Sequence, residues 1–279
     1  MTAKRGDEDK VGHPDMAAWI HRVTEPAVRP AIRALQIPVG SRGLDAGCGI
    51  GTHTLWLAEA VSPGGHVTGI DISREHLAHA EETAGKSGLA ARVSFQYGDM
   101  DDLPFDDHAF DWAWSADTLW PVGGKDPRPL VRELARVVKP RGIAAILLWS
   151  SQKLLPGYPL LEARLNATYA GNFPYTDDTR SELHILRALD WLQEAGLTEP
   201  QARTFVADIH APLDDTTRKA LMWSFQMLWG KAEPEVTPQD WAQFQRLCQP
   251  ESPDFIPNLP DYYAFITYSL FWGQVMRQP

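Results

Sequence analysis

Apolar and polar positions follow two different periods along this chain, and the two alternate. Arg92-Val93-Ser94-Phe95-Gln96-Tyr97 alternates residue by residue, as a half-buried strand does. Leu130, Leu134 and Val138 return every four residues, which gives a helix one apolar face. Read in this way, the first half predicts five strands. They are Arg42–Asp45, His66–Asp71, Arg92–Tyr97, Phe110–Ser115 and the continuous apolar run Ile143–Trp149. Helices fall between them: Thr52–Val61, one opened by the N-cap Ser73 and closed near Gly88, and one opened by Asp126-Pro127. The turn Lys139-Pro140-Arg141-Gly142 leads into the fifth strand. Strands alternating with helices predict a parallel sheet covered on both faces.

The flanks are less regular. Met16–Leu35 predicts a helix broken near Pro26 and Pro30, since proline disrupts a helix interior. It packs either over the strand-end face or along the outside. Residues 150–182 carry Pro156, Gly157, Pro159 and Pro174 and read as irregular, with some helix near Leu160–Ala170. Ile185, Leu189 and Leu192 mark an amphipathic helix, and Thr204–Ile209 a sixth strand. Residues 212–230 are apolar on several faces, and a further helix starts at Thr237-Pro238. Tyr262–Val275 is a last strand.

Composition narrows the function classes. A net charge of −10 disfavours a nucleic-acid partner. No apolar run approaches the roughly 18 residues that a membrane span requires. Residues 1–15 are charged, without the apolar centre of a secretion signal, and are expected to be mobile. The two cysteines, Cys48 and Cys248, stand far apart and form neither a disulfide framework nor a metal pair, which fits a reducing, cytoplasmic setting.

The chemistry concentrates where the first strand ends, in Leu44-Asp45-Ala46-Gly47-Cys48-Gly49-Ile50-Gly51-Thr52. A strand, a glycine turn and a helix N-terminus predict a cradle of N–H donors for a polar ligand. The dinucleotide fingerprint G-x-G-x-x-G is not met, because the third glycine comes one residue early and Thr52 takes its place. Asp71 and Asp99 end the second and third strands, so three acids meet on the carboxyl edge of the sheet. Asp71 is placed to accept from ribose hydroxyls and Asp99 from an adenine amino group, with Ile72 and Met100 beside the base.

Five motifs in order carry a resemblance. They are Asp45-Ala-Gly-Cys-Gly-Ile-Gly51, Thr68-Gly-Ile-Asp-Ile-Ser73, Gly98-Asp-Met-Asp-Asp-Leu-Pro-Phe105, Phe110-Asp-Trp-Ala-Trp-Ser115 and Glu133-Leu-Ala-Arg-Val-Val-Lys-Pro-Arg-Gly142. Together they resemble the class I S-adenosylmethionine-dependent methyltransferases, nearest to the quinone-biosynthesis C-methyltransferases and related small-molecule enzymes. The resemblance covers about Arg42–Trp149, continues at 183–209 and 262–275, and fades at 150–182 and 211–257.

It implies an α/β fold, a doubly wound, mostly parallel seven-stranded sheet of Rossmann-like methyltransferase type with a helical cap from insertions. The implied division is a helical segment at 1–40, a cofactor-binding core at 41–150, a cap segment at 151–182, more core at 183–210, a helical cap at 211–260 and the last core strand at 261–279. The cofactor implied is S-adenosylmethionine, with no metal. Gly47 and Gly49 would let the backbone approach its methionine half, and Asp45 would orient that loop and the amino group. Asp71 would hold the ribose diol, Ile72 and Met100 would sandwich adenine, Asp99 would accept from its amino group, and Ser115 would face the methionine part and the acceptor.

The acceptor is expected to be a small, largely apolar or aromatic metabolite, methylated at O, N or C, with the two poorly matched segments choosing it. Trp114, Trp120, Trp149, Trp223, Phe225 and Trp229 form either an aromatic pocket or the core of the cap. Candidate bases are His184, His210, Asp117 and Tyr175, and no spacing rule singles one out. Two other classes stay in view: a cofactor-binding protein without transferase activity, and a nicotinamide dehydrogenase, against which the glycine spacing speaks. A protein substrate also remains open, and nothing in the pattern fixes an oligomeric state.

Overall fold

The structure is a computed structural model that describes residues 14–121, 125–175 and 177–276. Of the segment expected to be mobile, residues 1–13 lie outside the described residues. Seven strands form one sheet: β1 Arg42–Ala46, β2 His66–Asp71, β3 Val93–Tyr97, β4 Phe110–Ala116, β5 Val138–Lys153, β6 Leu197–His210 and β7 Tyr263–Val275. Their spatial order is β3-β2-β1-β4-β5-β7-β6. Neighbours from β3 to β5 run parallel, and β7 is antiparallel to both β5 and β6. This is the predicted doubly wound, mostly parallel sheet.

Alternation along the central strands assigns the two faces. Trp112, Trp114, Ala145 and Leu147 belong to one buried cluster, together with α1 Pro14–Ala34 and α2 Thr52–Ala60. Ala113, Ala144, Ile146 and Leu148 belong to the other, with α4 Arg128–Val137 and α7 Ala188–Glu194. The third helix, α3 Arg74–Ser87, is capped by the Ser73 side chain, which accepts from His76 N–H.

Three expectations change. First, α1 is continuous through Pro26 and Pro30. Each proline removes one backbone donor, and the carbonyls this leaves, four residues earlier, belong to Arg22 and Pro26, both exposed residues. Second, the turn at Lys139–Gly142 is a bulge inside β5, where register passes from Phe110↔Val138 to Trp112↔Ile143 and Arg141 takes φ +70°. Third, the amphipathic helix around Ile185 is shorter, since Ile185–Arg187 is a 3-10 turn and α7 starts at Ala188.

The remaining helices are α5 Pro159–Asn166, α6 Tyr169–Asn172, α8 Asp215–Trp229 and α9 Pro238–Cys248. They pack on one another, and α8 packs on α1. Phe225, Trp229 and Phe244 are fully buried in that layer, and Trp229 Nε1 donates to Asn166 Oδ1 at 2.9 Å. The buried face of α1 rests on β6 and α8. No described helix is long and apolar enough to cross a membrane.

Candidate active site

A cavity of about 440 Å³ opens at the carboxyl edge of the sheet, over the ends of β1, β2, β3 and β4. Its size lies within the ordinary range of small-molecule sites. Gly47, Gly49, Asp71, Ile72, Asp99 and Met100 all line it, so six of the eight expected cofactor residues come together.

The glycine loop works differently from the expected cradle. Gly47 N–H and Cys48 N–H both donate to Ile70 O, Gly51 N–H to Cys48 O, and Gly49 N–H to Asp71 Oδ2 at 2.8 Å. These four amides are therefore engaged within the protein. The loop instead lends close approach. At Gly49, with φ +50°, an added Cβ would find nothing nearer than His76 Nδ1 at 4.0 Å, and so would stand in open space at the cavity wall. At Gly51, with φ +77°, a Cβ would press on Ala80 Cβ at 2.7 Å and Phe95 at 2.9 Å, which locks the loop onto α3 and β3.

Asp71 anchors the other side. Its Oδ1 accepts from Ser73 N–H at 2.8 Å, and its Oδ2 from Gly49 N–H. A carboxylate has about four acceptor positions, so both oxygens keep capacity for donors from a ligand. Exposed Asp99 accepts from Asp101 N–H at 2.9 Å, and Ile72 stands 56% exposed as an apolar rim beside it. Few free amides and several carboxylates make this edge unsuited to a diphosphate and suited to a ligand rich in hydroxyl, amino and cationic groups.

Two expected residues lie behind the wall. Asp45 is 1% exposed and accepts from Thr54 Oγ1 at 2.6 Å. Burial, with the Asp71 charge adding to it, pushes its carboxyl up to about 7, while the Thr54 bond pulls the other way. Ser115 is fully buried, donates to Ala46 O at 2.8 Å and pairs with Thr118 Oγ1, so it braces the end of β1 and does not line the cavity. Its strand explains this. Ser115 points with Ala113 to the α4 side, whereas Trp114 and Ala116 point to the α1 side.

Of the four candidate bases only Asp117 is in the wall. It sits at φ +54° just past β4, accepting from Trp149 N–H and from Tyr268 O–H, each at 2.8 Å. Burial raises its carboxyl to about 6 against those two bonds. Both oxygens are thus tied to β5 and β7, and Asp117 clamps the strand ends together. Tyr175 stacks on His184 at 4.5 Å and accepts from Ile185 N–H, while His210 is exposed at the end of β6. None of these three lines the cavity.

The aromatic pocket reduces to Trp120. Trp114 and Phe225 are wholly buried, and no described residue of 150–182 or 211–260 reaches the cavity. The cap's apolar side chains find partners in one another and in α1. The outer wall comes from α1, through Ala17 and His21, and sequence reasoning had left that open. His53, His76, Thr118, Lys125, Pro127 and Leu130 also line the cavity, with Lys125 Nζ held by Asp101. Pro127 and Leu130 carried helix signals only, and none of the six carried a signal for a site. His53 alone sat next to the motif, two residues past Gly51.

Residues 44–142 match the family described as a methyltransferase domain. A demethylmenaquinone methyltransferase from Bacillus cytotoxicus is 32% identical over 174 residues, which is 62% of this chain and 69% of the relative. One of the same name from Staphylococcus carnosus is 31% identical over 201 residues, covering 64% and 77%. A Haemonchus contortus phosphoethanolamine N-methyltransferase 2, solved with S-adenosyl-L-methionine, superposes with a TM-score of 0.58 at 16% identity, over 99% of this chain and 61% of that one.

Proposed function

On the premise that this chain belongs to the class I S-adenosylmethionine-dependent methyltransferases, near those of quinone biosynthesis, we propose that it methylates a small, largely apolar or aromatic metabolite by in-line displacement. When bound, S-adenosylmethionine supplies a sulfonium methyl group whose leaving sulfur is activated by its own positive charge. The protein then needs to contribute mainly alignment, which can supply up to about 7–11 kcal/mol of the barrier.

The residues present fit that cofactor. Asp71, with acceptor positions free after its bonds to Gly49 and Ser73, would take the ribose diol. Ile72 and Met100 would flank the adenine, and Asp99 would accept from its amino group. Gly49 leaves the open surface that the methionine half needs. Asp45 and Ser115 act from behind, the first through Thr54 and the second through Ala46, by holding the loop and strand end in place. Trp120, Leu130, Pro127 and Ala17 provide the apolar remainder for the acceptor. A net charge of −10 favours a small molecule over nucleic acid, and two buried free thiols suit the cytoplasm.

The observation that carries this reading is the Asp71 carboxylate, held at the cavity by two backbone amides. A charge-assisted hydrogen bond contributes about 1.5–3 kcal/mol, so Asp71→Ala is expected to weaken S-adenosylhomocysteine binding roughly ten- to hundredfold. Calorimetry giving an unchanged affinity would overturn the assignment of the ribose to Asp71.

A further inference from the structure

Buried polar side-chain atoms nearly always have a hydrogen-bond partner, and each exception calls for an explanation. Among the described residues the exceptions are His21 Nδ1, His53 Nε2 and Trp114 Nε1. They form one group. The His21 and His53 rings lie 4.7 Å apart, and His53 meets Trp114 edge-on at 6.2 Å. Three elements that are distant in sequence deliver them: α1, the first turn of α2, and β4. His53 is 7% exposed and Trp114 0%, yet both imidazoles line the cavity. The neighbouring acids are already engaged, Asp117 with Trp149 and Tyr268, and Asp45 with Thr54.

The donor set narrows what could satisfy these atoms. A neutral imidazole offers one acceptor nitrogen and one N–H, and an indole only donates. Burial holds both rings neutral, lowering His21 to about 4 and His53 well below its ordinary value. An anion placed here would have to be matched by a charge on a ring whose burial opposes it, and an ammonium group, which only donates, would leave the ring N–H groups and the indole N–H without an acceptor. A neutral hydroxyl both gives and takes. Its hydrogen goes to an imidazole nitrogen, and its oxygen accepts from an N–H. The resulting pair of bonds satisfies the two imidazole nitrogens, two of the three orphaned atoms, without burying a charge.

Resting on the methyltransferase reading, we propose that His21 and His53, backed by Trp114, form the acceptor subsite and that the acceptor presents a neutral hydroxyl to them, as a phenol or enol does. The subsite ties acceptor choice to α1 and the start of α2, and leaves the cap layer a supporting part.

The test uses the full chain saturated with S-adenosylhomocysteine. Phenol and 2-naphthol are titrated against their methyl ethers, anisole and 2-methoxynaphthalene, by calorimetry and by ¹⁵N NMR of the imidazoles. The hydroxyl compounds are expected to bind about tenfold tighter than the ethers, and to move the ring nitrogen signals of His21 and His53 where the ethers do not. His21→Phe and His53→Phe should each lose about tenfold for phenol and leave S-adenosylhomocysteine affinity within about twofold. Equal binding of alcohol and ether, or unmoved imidazole signals, would mean that ordered water satisfies these nitrogens and would overturn the proposal. A large drop in S-adenosylhomocysteine affinity would overturn it too, by giving the nitrogens to the cofactor. Should a Phe variant not fold, the wild-type NMR titration decides alone. A wild-type protein that takes no S-adenosylhomocysteine fails the cofactor reading itself. One that takes it but does not tell phenol from anisole fails only the subsite.

Discussion

Replacing Asp45 by Asn separates the charge of that side chain from its hydrogen bond. An amide oxygen can still accept from Thr54 Oγ1, which lies 2.6 Å from the carboxylate. What disappears is the proton equilibrium. Burial to 1% exposure lifts the Asp45 carboxyl from 3.8 to about 7. At about 1.4 kcal/mol per tenfold, that rise amounts to about 4 kcal/mol. Above pH 3.8 the unfolded chain has released this proton, and the folded chain keeps it until about pH 7. Folding therefore takes up a proton in that window, and stability falls as pH rises through it, then levels off. The Asn variant lacks this loss. Urea unfolding of both proteins between pH 5 and 9 should show the variant gaining about 2 kcal/mol on the wild type from pH 5 to 7, and a plateau above about pH 8. Because the Asp71 charge contributes to the rise, Asp71→Asn should move the plateau to lower pH. A stability difference that stays flat across the whole range would refute the claim that Asp45 is buried uncharged beneath the loop.

Two other substitutions probe the packing. Gly51→Ala puts a Cβ 2.7 Å from Ala80 Cβ at φ +77°, and backbone strain with overpacking should lower stability by about 2–4 kcal/mol in urea titrations; no loss would mean that the loop does not rest on α3 as described. Trp229→Ala removes a fully buried indole and its bond to Asn166, and should cost about 3–5 kcal/mol while leaving S-adenosylhomocysteine affinity within about threefold; a collapse of affinity in the folded variant would restore the cap to the site.

Most of the sheet and the cofactor edge could be read from local signals. His66–Asp71 matched strand β2 end for end, because its alternation and its terminal acid are both written within six residues. Gly47, Gly49, Asp71, Ile72, Asp99 and Met100 reached one cavity because parallel topology alone sends strand ends to a common edge. Misreadings arose where direction or docking decides. Ser115 and Trp114 are adjacent in β4 and therefore face opposite sides, which sequence position cannot assign without knowing the sheet's two faces. Pro26 and Pro30 looked like breaks until the exposure of Arg22 and Pro26 showed that water can take the freed carbonyls. His21 stands far upstream of the glycine loop and enters the wall only because β6 and α8 hold α1 there, so no local pattern could announce it.

That arrangement of α1 has a consequence for how the protein becomes competent. Helix α1, made before the glycine loop, is seated on β6 and α8, which are made after residue 196. A polypeptide halted near residue 150 would hold the glycine loop and all three strand-end acids, and would still lack the clasp that sets His21 over them. Ligand capture should accordingly slow amide exchange in 197–229, a region that does not line the cavity, because α1 and that region share one latch.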